Sequence, residues 1–145
     1  MTVTDLTELT GLEQLRATLL TGGAPIGRLI GMDVESLEIG RAEFSLVPGP
    51  QHYNPIGMVH GGIAATMLDS AMGCAVHSTL PAGARFTTLD LNIHYTRAMT
   101  ADTGRVVAIG ETVHVGGRTA TAEGRVLDED GNVLAHGTTT CLVMR

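Results

Sequence analysis

The stretch that decides the fold runs from residue 58 to residue 76 and reads MVHGGIAATMLDSAMGCAV. Apolar side chains cover nearly the whole circumference of this segment when it is drawn as a helix. The pattern predicts a helix over residues 59–79 that is buried on all sides. Asp69 lies in its middle and is the only Asp, Glu, Lys or Arg between Glu43 and Arg85. Since burying an unpaired carboxylate costs several kcal/mol, Asp69 needs either a structural partner or a function.

The chain alternates between apolar and polar residues on both sides of this helix, which is typical of half-buried strands. Residues 30–48 predict two strands joined by a turn at Gly40. Four more strands are predicted over residues 86–95, 104–113, 118–127 and 133–143. Turn residues at 114–117 and 128–132 indicate hairpins, and hence antiparallel pairing. We therefore expect an α+β fold in which a curved antiparallel sheet wraps around a central buried helix.

The N-terminal segment has leucines at helical spacing over residues 5–20. This pattern predicts an amphipathic helix interrupted by Gly11, and Gly22, Gly23 and Pro25 end it. We expect residues 1–25 to form this helix and a connector, and residues 26–145 to form the main part of a single domain.

Composition excludes several classes of protein. The 145 residues carry a net charge of −6 with nine arginines and no lysine, so no basic stripe is present to bind nucleic acid. No apolar run approaches the ~20 residues of a membrane span. The first 20 residues contain three acids and no early basic cluster, which is not typical of a signal peptide. We expect a cytoplasmic protein. Cys74 and Cys141 fit no metal or redox spacing, so we expect them to be reduced, and since the histidines show no metal-ligand spacing either, we expect no metal.

The start of the central helix has features that suit acyl transfer. The turn sequence Asn54-Pro55-Ile56-Gly57 precedes it, and His60-Gly61-Gly62 opens it. Two glycines leave backbone N–H groups uncovered at the positive end of the helix dipole, where they can stabilise an oxyanion. The alternative is that the glycines allow close packing against a strand. For Asp69, the functional hypothesis is a desolvated carboxylate with a raised pKa, and the alternative is pairing with an arginine or with backbone N–H groups.

Helix geometry separates the two candidate groups. His60 and Asp69 lie two and a half turns apart, on nearly opposite sides and roughly 13 Å apart along the axis at ~1.5 Å per residue. One helix cannot easily aim both at one reacting carbon. If both act, we expect two sites in a twofold dimer, each completed by the second chain.

The segment NPIGMVHGGIAATMLDSAMG, residues 54–73, resembles the helix signature of PaaI-like thioesterases of the hotdog superfamily. The resemblance extends over about residues 26–143, including LDLNIHYTRAMTADTGRV. It implies an acyl-CoA thioesterase for aromatic or medium-chain acyl groups, with coenzyme A as part of the substrate and no cofactor. It also implies a dimer with shared active sites, and we expect two such dimers to form a tetramer.

The resemblance assigns roles by position. Asp69, from the opposite subunit, would be the nucleophile or general base, and the Gly61 N–H would polarise the thioester carbonyl. Asn54 would position substrate or water, and His60 would lie beside the thioester. Further substrate contacts are expected from Gly62, Ser70, Gly73, His94, Gly117 and Arg118, the last two through the nucleotide phosphates.

One position departs from the family pattern. Several relatives carry Ser or Thr one turn after the carboxylate, where this chain has Gly73. Ser70 is adjacent to Asp69 but points about 100° around the helix. Two other functions therefore stay open: a non-catalytic acyl-CoA binder, and a hydroxyacyl-thioester dehydratase, which usually needs a His and a carboxylate in a different arrangement.

Overall fold

The structure, a computed structural model, describes residues 5–145; residues 1–4 of the expected N-terminal segment lie outside that range. Three helices and six strands follow in the order α1 Gly11–Leu19, α2 Pro25–Ile30, β1 Met32–Glu38, β2 Arg41–Leu46, α3 Gly61–Ser78, β3 Arg85–Tyr95, β4 Val106–Val115, β5 Thr119–Leu127 and β6 Val133–Met144. Short 3-10 turns lie at Leu6–Glu8 and Pro50–His52. Among the helices described, none is long and apolar enough to cross a membrane.

The six strands form one antiparallel sheet in the order β1-β2-β4-β5-β6-β3. The predicted α+β architecture, a curved antiparallel sheet around a central helix, is confirmed. The hairpins β4–β5 and β5–β6 are confirmed too, although β4 continues to Val115 and shortens the first turn. β3 pairs with β6, so its other edge is open in the described chain.

α3 packs so closely on the sheet that backbone meets backbone. A Cβ on Gly110 of β4 would lie 2.3 Å from the backbone of Ala71. The buried face of α3 carries small and flexible residues, including Ala64, Met67, Leu68 and Met72. Of the 18 residues of α3, all of them described, only Asp69 is exposed. Nine residues of α3 are buried and eight are partly buried, so the prediction of a helix buried on all sides holds only in part.

The N-terminal segment differs from the predicted single helix. Gly11 does not interrupt a helix but begins α1, where Thr10 and Glu13 form a capping box. The N–H of Gly11 donates to the carbonyl of Leu80 at 2.9 Å, and a Cβ on Gly11 would lie 1.7 Å from the carbonyl oxygen of His77. Glycine is needed here because α1 begins against the end of α3.

A second difference is α2, which the sequence did not predict. Pro25 begins this helix because the first helical position needs no N–H donor, and Gly31 ends it with a φ of 79°. The expected boundary between residues 25 and 26 therefore falls inside α2.

Candidate active site

The loop before α3 is closed by Asn54. Its Oδ1 accepts hydrogen bonds from the backbone N–H groups of Ile56 and Met58, both at 3.1 Å. Its own N–H donates to the carbonyl of Met58 at 2.7 Å. These bonds build the predicted turn and use the side-chain oxygen. The Nδ2 group has no recorded acceptor within residues 5–145 and remains available for a ligand.

His60 caps the start of α3. Its Nδ1 accepts the N–H of Gly62 at 2.8 Å, so a neutral ring carries its proton on Nε2. This bond uses the N–H of Gly62, whereas the N–H of Gly61 has no recorded acceptor in the described part of the chain. Of the two predicted glycines, Gly61 therefore offers the free donor at the positive end of the helix.

Tyr95 of β3 covers the helix start. Its hydroxyl donates to the carbonyl of Gly61 at 2.5 Å. A Cβ on Gly61 would lie 3.2 Å from the Tyr95 ring, so the close-packing explanation for this glycine is also valid. Partial burial raises the pKa of Tyr95, which keeps the hydroxyl a donor.

Asp69 is not buried in the single chain, which corrects the expectation of a desolvated carboxylate. Within residues 5–145 it also forms no salt bridge. Instead its Oδ1 accepts a hydrogen bond from the hydroxyl of Thr88 at 3.0 Å. Asp69 is exposed because it faces the open edge of the sheet, where β3 is the last strand. Thr88, which lies beside a bulge in β3, was missed because its contact with Asp69, 19 positions away in the same chain, is not readable from sequence.

One chain does not bring the two candidate groups together. Gly61 contacts Tyr95 near one end of β3, and Asp69 contacts Thr88 nearer the other end. On α3 they are separated by eight positions, roughly 12 Å at ~1.5 Å per residue. The geometric separation expected from the sequence is therefore present in the folded chain.

Ser70 and Gly73 have different surroundings from Asp69. Ser70 faces a small cavity between α3 and the N-terminal helices, together with Cys74. Burial raises the pKa of Cys74 to about 12, with the charge of Asp69 as the smaller cause, so the thiol stays protonated. Gly73 is buried beneath Phe86 of β3, whose ring lies 3.6 Å from where a Cβ would be.

The remaining predicted contacts lie away from Gly61 of the same chain. His94 is exposed on the outer face of the sheet, stacked on His136 with ring centroids 5.4 Å apart. Gly117 and Arg118 lie in the exposed β4–β5 turn, where the Arg145 guanidinium donates to the Gly117 carbonyl at 3.3 Å. This turn lies near the Arg85 end of β3, whereas Gly61 lies near the Tyr95 end.

A groove of about 330 Å³ lies beside the helix start. Its walls include Asn54, Gly61, Tyr95, Arg97 and Met99. Asn54 and Gly61 thus share one opening with a cation and apolar side chains, an arrangement that suits a ligand with both polar and apolar parts.

Comparison with known proteins identifies the family of this chain. A family model described as the thioesterase superfamily matches residues 56–135. The chain belongs to this superfamily, and its hotdog fold is similar to that of the solved PaaI structures. Its membership supports a hydrolase role.

Individual relatives agree with this family. A mutant of the phenylacetic acid degradation protein PaaI of Thermus thermophilus superimposes with a TM-score of 0.74 at 29% identity, covering 82% of this chain and 98% of that one. The 1,4-dihydroxy-2-naphthoyl-CoA hydrolase of Listeria monocytogenes is 25% identical over 80% of this chain and 93% of its own length. A protein of Halobacterium salinarum that is provisionally named an esterase is 48% identical, but over only 41% of this chain and 42% of its own length.

Proposed function

We propose that this protein is an acyl-CoA thioesterase whose active sites are each shared by two chains. The observation that carries the proposal is the position of Asp69. It is the one exposed residue of α3, it is held by Thr88, and it lies away from the free N–H of Gly61 on the same helix. A carboxylate and an oxyanion donor of this kind form one site only if a second chain supplies one of them.

The open edge of β3 provides the surface for that second chain. Unpaired strand edges favour pairing with another strand. The edge strand also leaves apolar area uncovered, since Leu89 is 56% and Tyr95 is 54% exposed. Antiparallel pairing of β3 with its own copy around a twofold axis would continue the sheet and bury this area.

The contacts along β3 indicate where the axis passes. Gly61 lies opposite Tyr95 and Asp69 lies opposite Thr88. To bring Gly61 of one chain next to Asp69 of the other, the twofold axis must pass near the middle of this stretch, between Leu91 and Asn92. The same pairing would bring the Arg118 turn of one chain toward the Tyr95 end of the other, where its guanidinium could bind a nucleotide phosphate. We expect two such dimers to form a tetramer.

The chemistry is thioester hydrolysis. The thioester carbonyl oxygen accepts from the N–H of Gly61, which stabilises the oxyanion. The carboxylate of Asp69 takes a proton from water, whose oxygen attacks the carbonyl carbon, or it attacks that carbon itself. The C–S bond then breaks, and coenzyme A leaves as a thiolate that takes up a proton. In the route where Asp69 attacks the carbon, water then hydrolyses the acyl anhydride formed on Asp69 and regenerates the carboxylate. Asn54 and His60 border the same helix start and would position substrate or water.

The substrate proposal is an aromatic or medium-chain acyl-CoA. The Listeria relative is a hydrolase of 1,4-dihydroxy-2-naphthoyl-CoA, an acyl-CoA that carries an aromatic group, and this supports the choice. No separate cofactor is required, because coenzyme A is part of the substrate. A cytoplasmic location accompanies this proposal, since acyl-CoA is formed and used inside cells.

Asp69→Asn tests the proposal because it removes the base and keeps the shape. Thiol release from a panel of aromatic and aliphatic acyl-CoAs should fall by at least about 100-fold, the lower range of a general-base contribution. Binding of a non-hydrolysable acyl-CoA analogue and the circular dichroism spectrum should stay the same. Asp102→Asn, at an exposed loop carboxylate, is the matched control. Near-normal turnover in Asp69→Asn would remove Asp69 from the mechanism, and alkene formation in place of thiol release would indicate a dehydratase.

A further inference from the structure

The start of α3 leaves a single backbone N–H free between bonded neighbours. The other N–H groups from residue 59 to residue 63 all have acceptors within the described chain. They belong to Val59, His60, Gly62 and Ile63, which donate to the Met99 carbonyl, the His52 carbonyl, Nδ1 of His60 and the His60 carbonyl, respectively. The N–H of Gly61 lies between them and is bonded to no acceptor within residues 5–145. The segment is therefore fixed on both sides of the proposed oxyanion donor.

The free N–H belongs to a residue with few conformational restraints of its own. Gly61 and Gly62 carry no Cβ, so steric contacts restrict their backbone dihedral angles less than those of other residues. The first turn of a helix also lacks intrahelical acceptors for its N–H groups, and helix ends fray. An oxyanion donor is effective only when its direction is fixed before the charge develops. Two glycines at this place therefore need a restraint from outside the helix.

Tyr95 of β3 makes two contacts that restrain Gly61. Its hydroxyl donates to the carbonyl of Gly61 at 2.5 Å. Its ring lies against the Cα of Gly61, since the three heavy atoms nearest to a Cβ built there all belong to Tyr95, at 3.2 to 3.4 Å. The bond fixes the carbonyl side of the glycine, and the ring limits its movement toward β3.

The backbone of Tyr95 is itself held in the sheet. Tyr95 pairs with Ala135 of β6. The N–H groups of the two residues that follow it both donate to the carbonyl of Leu134, at 2.9 and 3.1 Å. The end of β3 is therefore anchored on the side away from the open edge, and the Tyr95 hydroxyl connects this anchored strand to the start of α3.

We propose that Tyr95 is a positioning residue of the thioesterase reaction, which holds Gly61 so that its free N–H points at the thioester carbonyl oxygen. The inference rests on the proposed thioesterase function and adds to it a residue that acts through Gly61. The two residues complement each other, because the glycine leaves the N–H uncovered and the tyrosine supplies the restraint that glycine lacks. Removing only the hydroxyl should loosen the oxyanion donor without removing it.

Tyr95→Phe tests the proposal because it removes the bond to the Gly61 carbonyl and keeps the ring. The assay is thiol release from the acyl-CoA that the unchanged protein hydrolyses fastest in a panel of aromatic and aliphatic compounds. The kcat should fall by about tenfold or more, short of the roughly 100- to 1,000-fold loss that removing a donor causes. The KM should change by less than about twofold, because the oxyanion forms only in the reaction. Circular dichroism and gel filtration verify the fold and the assembly, which should persist since Tyr95 is 54% exposed.

Tyr53→Phe is the matched control. Tyr53 is the other tyrosine of the chain, and its hydroxyl accepts the backbone N–H of Ala101 at 2.7 Å. The change again removes one hydroxyl that is bonded to backbone, but it leaves the contacts of Gly61 intact. Its kcat should stay close to that of the unchanged protein. An equal fall of kcat in both variants would attribute the loss to general stability and overturn the proposal.

A spectroscopic measurement separates positioning from a structural role. In an Asp69→Asn background, which should bind the acyl-CoA without hydrolysing it, infrared difference spectroscopy follows a carbon-13-labelled thioester carbonyl. Its stretching frequency should be lower in the complex than in free acyl-CoA, because the Gly61 N–H polarises the C=O bond. Adding Tyr95→Phe should move the frequency back toward the free value, and adding Tyr53→Phe should not.

The outcomes distinguish this inference from the proposed function. A normal kcat or an unmoved carbonyl frequency in Tyr95→Phe would overturn the positioning role and leave the thioesterase function intact. A raised KM with an unchanged kcat would also overturn it, since Tyr95 would then act in substrate binding. No thiol release from any acyl-CoA by the unchanged protein would overturn the proposed function, and this inference with it.

Discussion

Gly110 and Gly73 are both buried, but only one of them is required by close packing. Gly110 is required by the contact between β4 and α3, where a Cβ would lie 2.3 Å from the backbone of Ala71. Gly73 is not required in this way. A Cβ there would meet only the Phe86 ring, at 3.6 and 3.8 Å, which is ordinary van der Waals contact. Lack of space for a Cβ therefore does not explain the glycine at this position.

Gly73→Ala should stabilise the protein. Glycine in a helix interior costs ~0.8–1.0 kcal/mol relative to alanine, so the free energy of unfolding should rise by about 0.5–1 kcal/mol. Urea denaturation measures this change. Gly110→Ala is the matched comparison and should lose about 1–3 kcal/mol or fail to fold, because the helix would have to move from the sheet. A destabilised Gly73→Ala variant would contradict the packing described for Phe86.

At the same scale, the sequence singled out Asp69 as the one charged residue of α3, but it did not predict that Asp69 is exposed. The long interval without charges reflects the burial of α3, and the one charged residue lies where that helix reaches the sheet edge. A sequence pattern reports that a helix is apolar, but it does not report where the covering sheet ends. The contacts of Thr88 with Asp69 and of Tyr95 with Gly61 could not be predicted for the same reason, since they depend on how β3 lies against α3.

At the scale of elements, α1 is joined to the end of α3 by a histidine. Nε2 of His77 and Oε1 of Gln14 are hydrogen-bonded at 3.0 Å, and the His77 ring lies 5.2 Å from that of Phe86. Burial lowers the pKa of His77, because the charged ring is poorly solvated there. The neutral ring is thus part of the contact between α1, α3 and β3.

This contact predicts a pH dependence. The pKa of His77 is lower in the folded chain than its unfolded value of ~6.5, so the unfolded chain binds the proton more strongly. Its stabilisation is complete above pH ~6.5 and is lost as the pH falls toward the folded pKa. Urea denaturation between pH 7 and pH 5 should show a smaller decline in His77→Gln than in the unchanged protein. His114→Gln, at an exposed histidine of β4, should decline as the unchanged protein does.

Helices and strands in which apolar residues recur at regular spacing were predictable, and elements without such spacing were not. The strands and α3 have long periodic patterns, so their existence and order were correct. α2 has six residues, begins with proline and follows two glycines, so it resembles a loop. The sequence does not indicate that β3 pairs with β6 rather than with β4, because no tight turn connects β3 and β6.

At the scale of the whole molecule, the main question is whether each active site is shared by two chains. Two inactive variants can answer it. Asp69→Asn removes the base. Gly61→Pro removes the oxyanion donor while keeping a residue that the first helical position accepts. If Gly61 of one chain acts with the partner subunit's Asp69, a mixed dimer contains one intact site and one site with both defects.

Refolding the two variants together in equal amounts should therefore restore activity. Half of the dimers would be mixed, and each would have one of two sites intact, so thiol release should reach about a quarter of the unchanged level. Each variant refolded alone is the control, with circular dichroism to verify folding. Activity that stays at the level of the separate variants, although mixed dimers form, would place both groups of a site in one chain. A recovery near a quarter distinguishes a shared site from a merely dimeric enzyme, because dimerisation alone cannot combine the intact halves of two defective chains.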